Sequence, residues 1–352
     1  MKFNSLLILI LFTFLPAFSQ IYRVASPEYQ LSFPKDHFPH AGFRTEWWYY
    51  TGHVEAQSGN QYGFQFTIFK VEPAPPGVPN RPPVLYLLHS AVTDLSGKTF
   101  QYAEILQREF PGSAGINPAD SSLNVEGSHL KISGNRHNLS FHGTDFSFSF
   151  DLESALSPVL HGVNGYSPKS KEPGNASHYY SVVNLLGSGS LEIKGKPVPV
   201  KSVSAWMDHE FSSNALSPFQ SGWDWVTLSL DNGWKVMAFQ VRGNPQFVSG
   251  SLISPDGKVS ALDPKTISFL PGRTWTSKES KGVYPVEWEI KSGENQFQIT
   301  PWMDNQELVM KETGVTYWEG AISVKGKLNG KPVTGKGYLE MTGYAGKMNG
   351  KL

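Results

Sequence analysis

Apolar and polar residues alternate with a period of two along most of the chain. In YGFQFTIFK, Tyr62, Phe64, Phe66 and Ile68 share one face, with Gln65 and Thr67 on the other. In FSFSFDL, Phe146, Phe148 and Phe150 alternate with serine. Such alternation predicts half-buried strands rather than helices. WDWVTLSLDNGWKVMAFQVR predicts two strands around Asp231-Asn232-Gly233, and AISVKGKLNGKPVTGKGYLEMTGY repeats the device around Asn329-Gly330. Asn-Gly readily takes the positive φ that tight hairpins require. No segment carries a sustained helical period with caps. The predicted fold class is all-β, with antiparallel strands that must hide their edges, as closed barrels do most completely.

At 352 residues the chain has room for two such barrels or sandwiches. The Pro-rich VEPAPPGVPNRPPV, Val71 to Val84, reads as a long exposed loop of the first, because proline cannot join a ladder. The strand pattern restarts around KGKPVPVKSVSAWMDHEF, near residues 195 to 205. The expected domains are therefore residues 20–203 and 204–352. GSGSLEIKGKPVPVKS and AISVKGKLNGKPVTGKGYLEM share a K-G-K…P-V signature, a hint of internal duplication.

Residues 1–19 read as a secretory signal peptide, with Lys2, an apolar run from Leu6 to Leu15, then Pro16, Ala17 and Ser19 before the expected cut. As an uncleaved anchor the run would fall short of the roughly 20 residues of a bilayer span. A secreted or periplasmic location follows. The chain has no cysteine, which excludes a disulfide, a thiol nucleophile and a lipid-bearing cysteine. Stability must then rest on burial, for which 13% aromatic residues supply large apolar area. Thirty basic and thirty acidic side chains cancel without forming a basic stripe, so nucleic acid is not an expected partner.

Reactive groups gather beside tryptophan in TEWWYYTGH (Glu46, His53), AWMDHEFSSN (Asp208, His209, Glu210) and GWDW (Asp224), and again at Asp304 and Glu319. A carboxyl group walled by indole rings loses solvation, which raises its pKa toward a useful general-acid value. Asp208, His209 and Glu210 are consecutive, so a strand points His209 away from the other two. One histidine cannot fill a coordination sphere; His89 or His178 would have to complete it, and no metal or cofactor is expected. HEFSS opens like a zinc helix but has Ser213 where the second histidine belongs. No G-x-S-x-G elbow is present. Taken singly, Trp47, Trp48, Trp223 and Trp225 read as core before ligand contact, and Glu46 and Glu319 as caps for backbone donors. Asp224 shares a face with Val226, Leu228 and Leu230, so it is either buried, with His209 or Arg44 as partner, or Trp223 and Trp225 face outward. In the Glu46–Tyr50 run, Trp47 and Tyr49 point one way and Glu46, Trp48 and Tyr50 the other.

FPKDHFPHAGFRTEWWYYTGHVEAQSGNQYGFQFTIFK resembles the opening signature of the AttH-type lipocalin-like family, which includes bacterial carotenoid hydratases. The resemblance continues through HSAVTD, HYYSVVNL, AWMDHEFSS, GWDWVTLSLDNGWKVMAFQVR, TYWEGAISV and GYLEMTGYAG, roughly Phe33 to Gly346. It implies two lipocalin-like antiparallel β-barrels and a hydrophobic small-molecule ligand, with peripheral membrane contact left open. In the hydratase branch an acid protonates an isolated double bond, and water captures the cation. Carried over by position, Asp208 or Asp224 would be the acid and His209 its partner, with Glu46 a further catalytic candidate. Trp47, Trp48, Trp223, Trp225, Glu210 and His89 would line the pocket. One departure stands out: Phe239 and Val241 occupy the positions expected for the Tyr and Asp of true carotenoid hydratases. Two functions remain open: acid-assisted hydration, isomerisation or cleavage of an isoprenoid or lipid-like substrate, or non-catalytic carriage of a lipophile.

Overall fold

The computed structural model describes residues 21–213, 216–346 and 348, so the expected signal peptide lies outside the described residues. Among the described residues the regular structure is β, apart from a 3-10 turn at Lys35–His37. The alternating stretches form strands as their pattern predicts. Tyr62, Phe64, Phe66 and Ile68 enter one core together with Phe146, Phe148 and Phe150. The Pro-rich stretch joins the strands Gln61–Val71 and Leu85–Asp94 as a loop. Asn329 and Gly330 both take positive φ and close the hairpin in which Leu328 faces Lys331.

Fourteen antiparallel strands make the first sheet, which curls into a nearly closed barrel, and ten make the second. Both follow the same path. In the first, the strand Thr45–Ala56 pairs on one side with Gln61–Val71 and on the other with Val200–Ser212, which in turn pairs with Ala176–Ile193. In the second, Gln220–Leu230 pairs with Lys235–Gly243 and with Lys331–Thr342, which pairs with Thr316–Leu328. The opening strand of each unit thus bonds to its closing strand. The two K-G-K…P-V stretches lie at counterpart hairpins, Ile193 facing Lys196 and Leu328 facing Lys331.

This pairing corrects the domain seam. Val200–Ser212 was expected to be cut between the two units, but its whole length is bonded within the first sheet. The first barrel therefore runs to Ser212, and the second opens at Gln220. Sequence periodicity sees a strand begin near residue 200 but not which sheet receives it.

Each barrel has its own apolar interior, with Trp48, Tyr50 and Met207 in the first and Val226, Leu228 and Trp318 in the second. A third cluster lies between the barrels, where Tyr49, Tyr179 and Trp206 meet Trp225, Phe239 and Val241. Both faces of the central strands are consequently buried, one inside a barrel and one at the seam. Buried polar groups must be paired, and hydrogen bonds cross this seam. Trp225 Nε1 donates to the Tyr179 hydroxyl at 3.1 Å, and His161 Nδ1 meets Ser251 Oγ at 2.9 Å. His89 Nδ1 meets the Tyr317 hydroxyl at 3.0 Å.

Candidate functional site

The seam does not close completely. A cavity of about 330 Å³ opens between the barrels, with walls from Trp47, Tyr49, Phe69, Trp223, Trp225 and Phe239. That volume lies at the small end of those that hold organic ligands. Strand alternation puts these rings there. Trp47 and Tyr49 face the seam while Glu46, Trp48 and Tyr50 face the first barrel's interior, and Trp223 and Trp225 face the seam while Asp224 does not.

Four carboxyl groups line the same cavity: Asp208, Glu210, Glu319 and Glu340. Asp208 is fully buried and accepts hydrogen bonds from the Tyr179 hydroxyl at 2.7 Å, Trp206 Nε1 at 2.6 Å and Ser181 Oγ. Burial pushes its pKa up to about 7, outweighing those donors, and neighbouring Glu210 adds to the rise. Glu340 is likewise pushed up to about 7 by burial, against a hydrogen bond donated by Trp223 Nε1 at 2.9 Å. Glu319 is raised well above the usual carboxylate range by burial and by Glu340. It accepts a hydrogen bond from Tyr49, and its second oxygen, Oε2, is buried without a partner. Glu210 differs: Lys169 Nζ sits 2.8 Å away. The cavity thus combines apolar walls with carboxyl groups that hold their protons near neutral pH, as a general acid requires.

Of the sequence candidates, Asp208, Glu210, Glu319, Trp47, Trp223, Trp225 and His89 line this cavity. His89 is buried, which lowers its pKa to about 4, and its Nε2 lies 3.9 Å from Glu104, beyond hydrogen-bonding range. Glu46, Trp48, His209 and Asp224 are elsewhere. His209 is not the partner of Asp208, because consecutive strand residues face opposite sides. Its Nε2 bonds Glu46 Oε1 at 2.9 Å inside the first barrel, and its Nδ1 meets the Tyr180 hydroxyl at 2.9 Å. Trp48 packs against His209 there and donates from Nε1 to the carbonyl of His37 at 2.9 Å. Asp224 lies inside the second barrel. Neither His209 nor Arg44 serves it; Arg242 Nη1 approaches to 2.5 Å and Gln240 Nε2 donates at 2.7 Å. Asp224 is therefore tied into a structural pair, and its expected role as an acid facing ligand does not fit its position.

Glu46 gathers His40 and His209, and these three could in principle offer ligand atoms to a metal ion. His40, rather than His89 or His178, is what joins His209. The donor atoms, however, already face one another. His40 Nδ1 bonds Glu46 Oε1 at 2.7 Å, His40 Nε2 bonds Asp36 Oδ1 at 3.1 Å, and Lys70 Nζ lies 3.6 Å from Glu46 Oε2. Burial disfavours the charged Glu46, but hydrogen bonds from His209 and His40 outweigh it and hold its pKa down to about 2. An ammonium group beside the trio and ring nitrogens bonded to carboxylates describe a structural network that fastens the 35–40 segment to the barrel.

Glu340, Tyr49, Tyr179, Lys169 and Tyr317 were not among the candidates. Glu340 sits between Leu339 and Met341 with no indole beside it in sequence; its Trp223 partner is 117 residues away. Strand alternation alone gave a usable signal for Tyr49, since it shares a face with Trp47.

Two antiparallel barrels enclosing an apolar, acid-lined hollow at their seam define the architectural class. The chain belongs to the AttH-like family, whose profile matches residues 24–344. A solved AttH protein from Nitrosomonas europaea is 34% identical, with a TM-score of 0.81 over 92% of this chain and 99% of that one. Kievitone hydratase of Fusarium solani subsp. phaseoli is 25% identical over 205 residues, 56% of each protein, so the chain spans about half the length of that curated relative. The crystal structure of kievitone hydratase from Nectria haematococca shares the fold, at 16% identity and a TM-score of 0.72 over 93% of this chain and 97% of that one.

Proposed function

We propose that this chain is an exported enzyme that hydrates an isolated carbon–carbon double bond in a small isoprenoid or lipid-like molecule, with Asp208 as the acid. The carrying observation is a carboxyl group raised to about 7 in an aromatic cavity with no ion-pair partner among the described residues. The relation to kievitone hydratase supports a catalytic role, and the apolar leader of residues 1–19 supports export.

The chemistry balances on one group. The Asp208 proton passes to the less substituted alkene carbon as the π pair forms the new C–H bond. The charge left on the other carbon lies among the faces of Trp47 and Trp225, whose ring quadrupoles attract cations. Water adds its oxygen there and returns a proton to the Asp208 carboxylate. Loss of a proton from a neighbouring carbon instead gives an isomerised alkene. Phe239 and Val241 line the cavity without supplying an acid, and the small volume argues against a long carotenoid chain.

The test is to incubate the protein with a panel of prenylated phenols and short terpenes in H₂¹⁸O and in D₂O. A product carrying one solvent oxygen and one solvent hydrogen is expected. Asp208→Asn should lower its rate by about 10²–10⁴-fold, the usual share of a general acid, while circular dichroism stays native. A folded Asp208→Asn protein with wild-type turnover would remove the assignment. Saturable ligand binding with no conversion of any panel member would instead favour a carrier.

A further inference from the structure

Asp208, Glu319 and Glu340 all face the cavity, and no lysine or arginine pairs with any of them among the described residues; Lys169 is engaged with Glu210. Glu319 adds a sharper signal. Tyr49 occupies one of its oxygens, and Oε2 is buried with no donor. An unpaired buried carboxyl oxygen costs stability unless something supplies a partner. Glu340 stands directly across from Glu319 in the strand pairing, which brings two acids together on one face. Around them lie the rings of Tyr49, Trp223, Trp225 and Tyr317.

We propose that this part of the cavity binds a small lipophilic cation, a protonated tertiary amine whose N–H donates to Glu319 Oε2 while its alkyl groups lie against the aromatic walls. A single vacant acceptor beside apolar rings suits a cation with one N–H. A tertiary ammonium also turns alkyl groups, rather than further N–H donors, toward the rings of Tyr49, Trp223, Trp225 and Tyr317. The positive charge is met by Glu340 across the strands and by the aromatic faces. This ligand class goes beyond the hydration reading and needs no chemistry at Asp208.

Binding is coupled to protons. The groups facing Glu319 are Tyr49 and Asp208 from the first barrel and Tyr317, Tyr338 and Glu340 from the second, all acids or phenols. Burial and the neighbouring Glu340 hold the Glu319 carboxyl well above the usual carboxylate range, so a cation that binds there displaces its proton. An alkylamine stays charged in this range, as a lysine does.

The experiment titrates the full chain calorimetrically with N,N-dimethylhexylamine and with its neutral counterpart of similar shape, 2-methyloctan-2-ol. Buffers of different ionisation enthalpy at pH 7 report proton release. The amine should bind about tenfold or more tightly than the alcohol and release about one proton. Glu319→Gln should bring amine affinity down to that of the alcohol and abolish most of the release. Equal affinities, no binding of either compound, or amine binding without proton release would overturn the proposal. So would a folded Glu319→Gln protein that keeps wild-type amine affinity. The wild-type buffer comparison stands if that variant does not fold. Turnover that depends on Asp208 without amine binding would leave the hydration reading intact, and amine binding without turnover would do the reverse.

Discussion

Across four adjacent strands, the first barrel turns Phe69, Trp47, Glu210 and Tyr179 toward the seam as register partners. The second barrel presents Phe239, Trp225, Glu340 and Glu319 at the counterpart strand positions. Three of the four positions keep Phe, Trp and Glu. The next row differs throughout: Thr67, Tyr49, Asp208 and Ser181 stand where the other barrel's equivalent path has Met237, Thr227, Tyr338 and Ala321. The matched row builds the walls, since an indole beside a carboxyl group serves either barrel equally. The mismatched row places Asp208 and its Ser181 donor on one side only. Glu319, standing where the first barrel has Tyr179, adds an acid on the other. A frame of twofold character thus holds an asymmetric set of reactive groups.

The largest effect that would sharpen this contrast is on rate. Asp208→Asn should abolish most turnover, whereas Tyr338→Phe, at the counterpart position, should leave the rate unchanged in the same isotope-incorporation assay. A rate loss at Tyr338 as deep as at Asp208 would break the asymmetry.

Next comes a contrast of faces within one strand. Trp48→Ala empties the first barrel's core and should cost about 3–5 kcal/mol in urea unfolding. Trp47→Ala, half-buried beside an existing void, should cost about 1 kcal/mol and instead weaken binding of apolar probes. Trp225→Ala should weaken that binding to a similar extent, because it occupies the matching position.

Asp224→Asn tests the interior acids. Removing one partner of the Asp224–Arg242 pair should cost on the order of 3 kcal/mol with ligand binding retained. Altered ligand affinity without loss of stability would return Asp224 to the site.

The smallest effect is on stability against pH. Asp208 and Glu340 hold a proton up to about pH 7 when folded, and Glu319 beyond it, whereas unfolded carboxyl groups release theirs near pH 4. For these groups stability falls as pH rises from about 4 through 7. His37, His53, His89, His137, His161, His178 and His209 are held below their ordinary value by burial. They stay neutral when folded but take up protons near pH 6.5 when unfolded, so their contribution is lost as pH falls below about 6.5. The two sets place the Tm maximum near pH 6.5, each group contributing about 1.4 kcal/mol per pH unit across its own window. Asp208→Asn combined with Glu340→Gln should flatten the alkaline limb, and an unchanged limb would show that these acids are not desolvated.

Much of this was legible in the residues. Alternation assigned Phe64, Phe66, Phe148 and Phe150 to a core, separated Trp47 and Tyr49 from Glu46 and Trp48, and set His209 apart from Asp208 and Glu210. Those assignments need only the period of a strand, a local property of the backbone. What alternation cannot choose is which buried face meets a ligand. In the central strands one face fills a barrel and the other meets the second barrel, and indoles and acids occur on both. Glu46 with His209 and Asp208 with Glu210 therefore look equivalent until the barrels dock. Glu340 was invisible because its indole partner comes from another strand, and the domain seam was misplaced because hydrogen-bond partners are chosen across the sheet. Strand identity and facing are written in short-range pattern, while the cavity and its proton-holding acids arise where distant surfaces meet and exclude water.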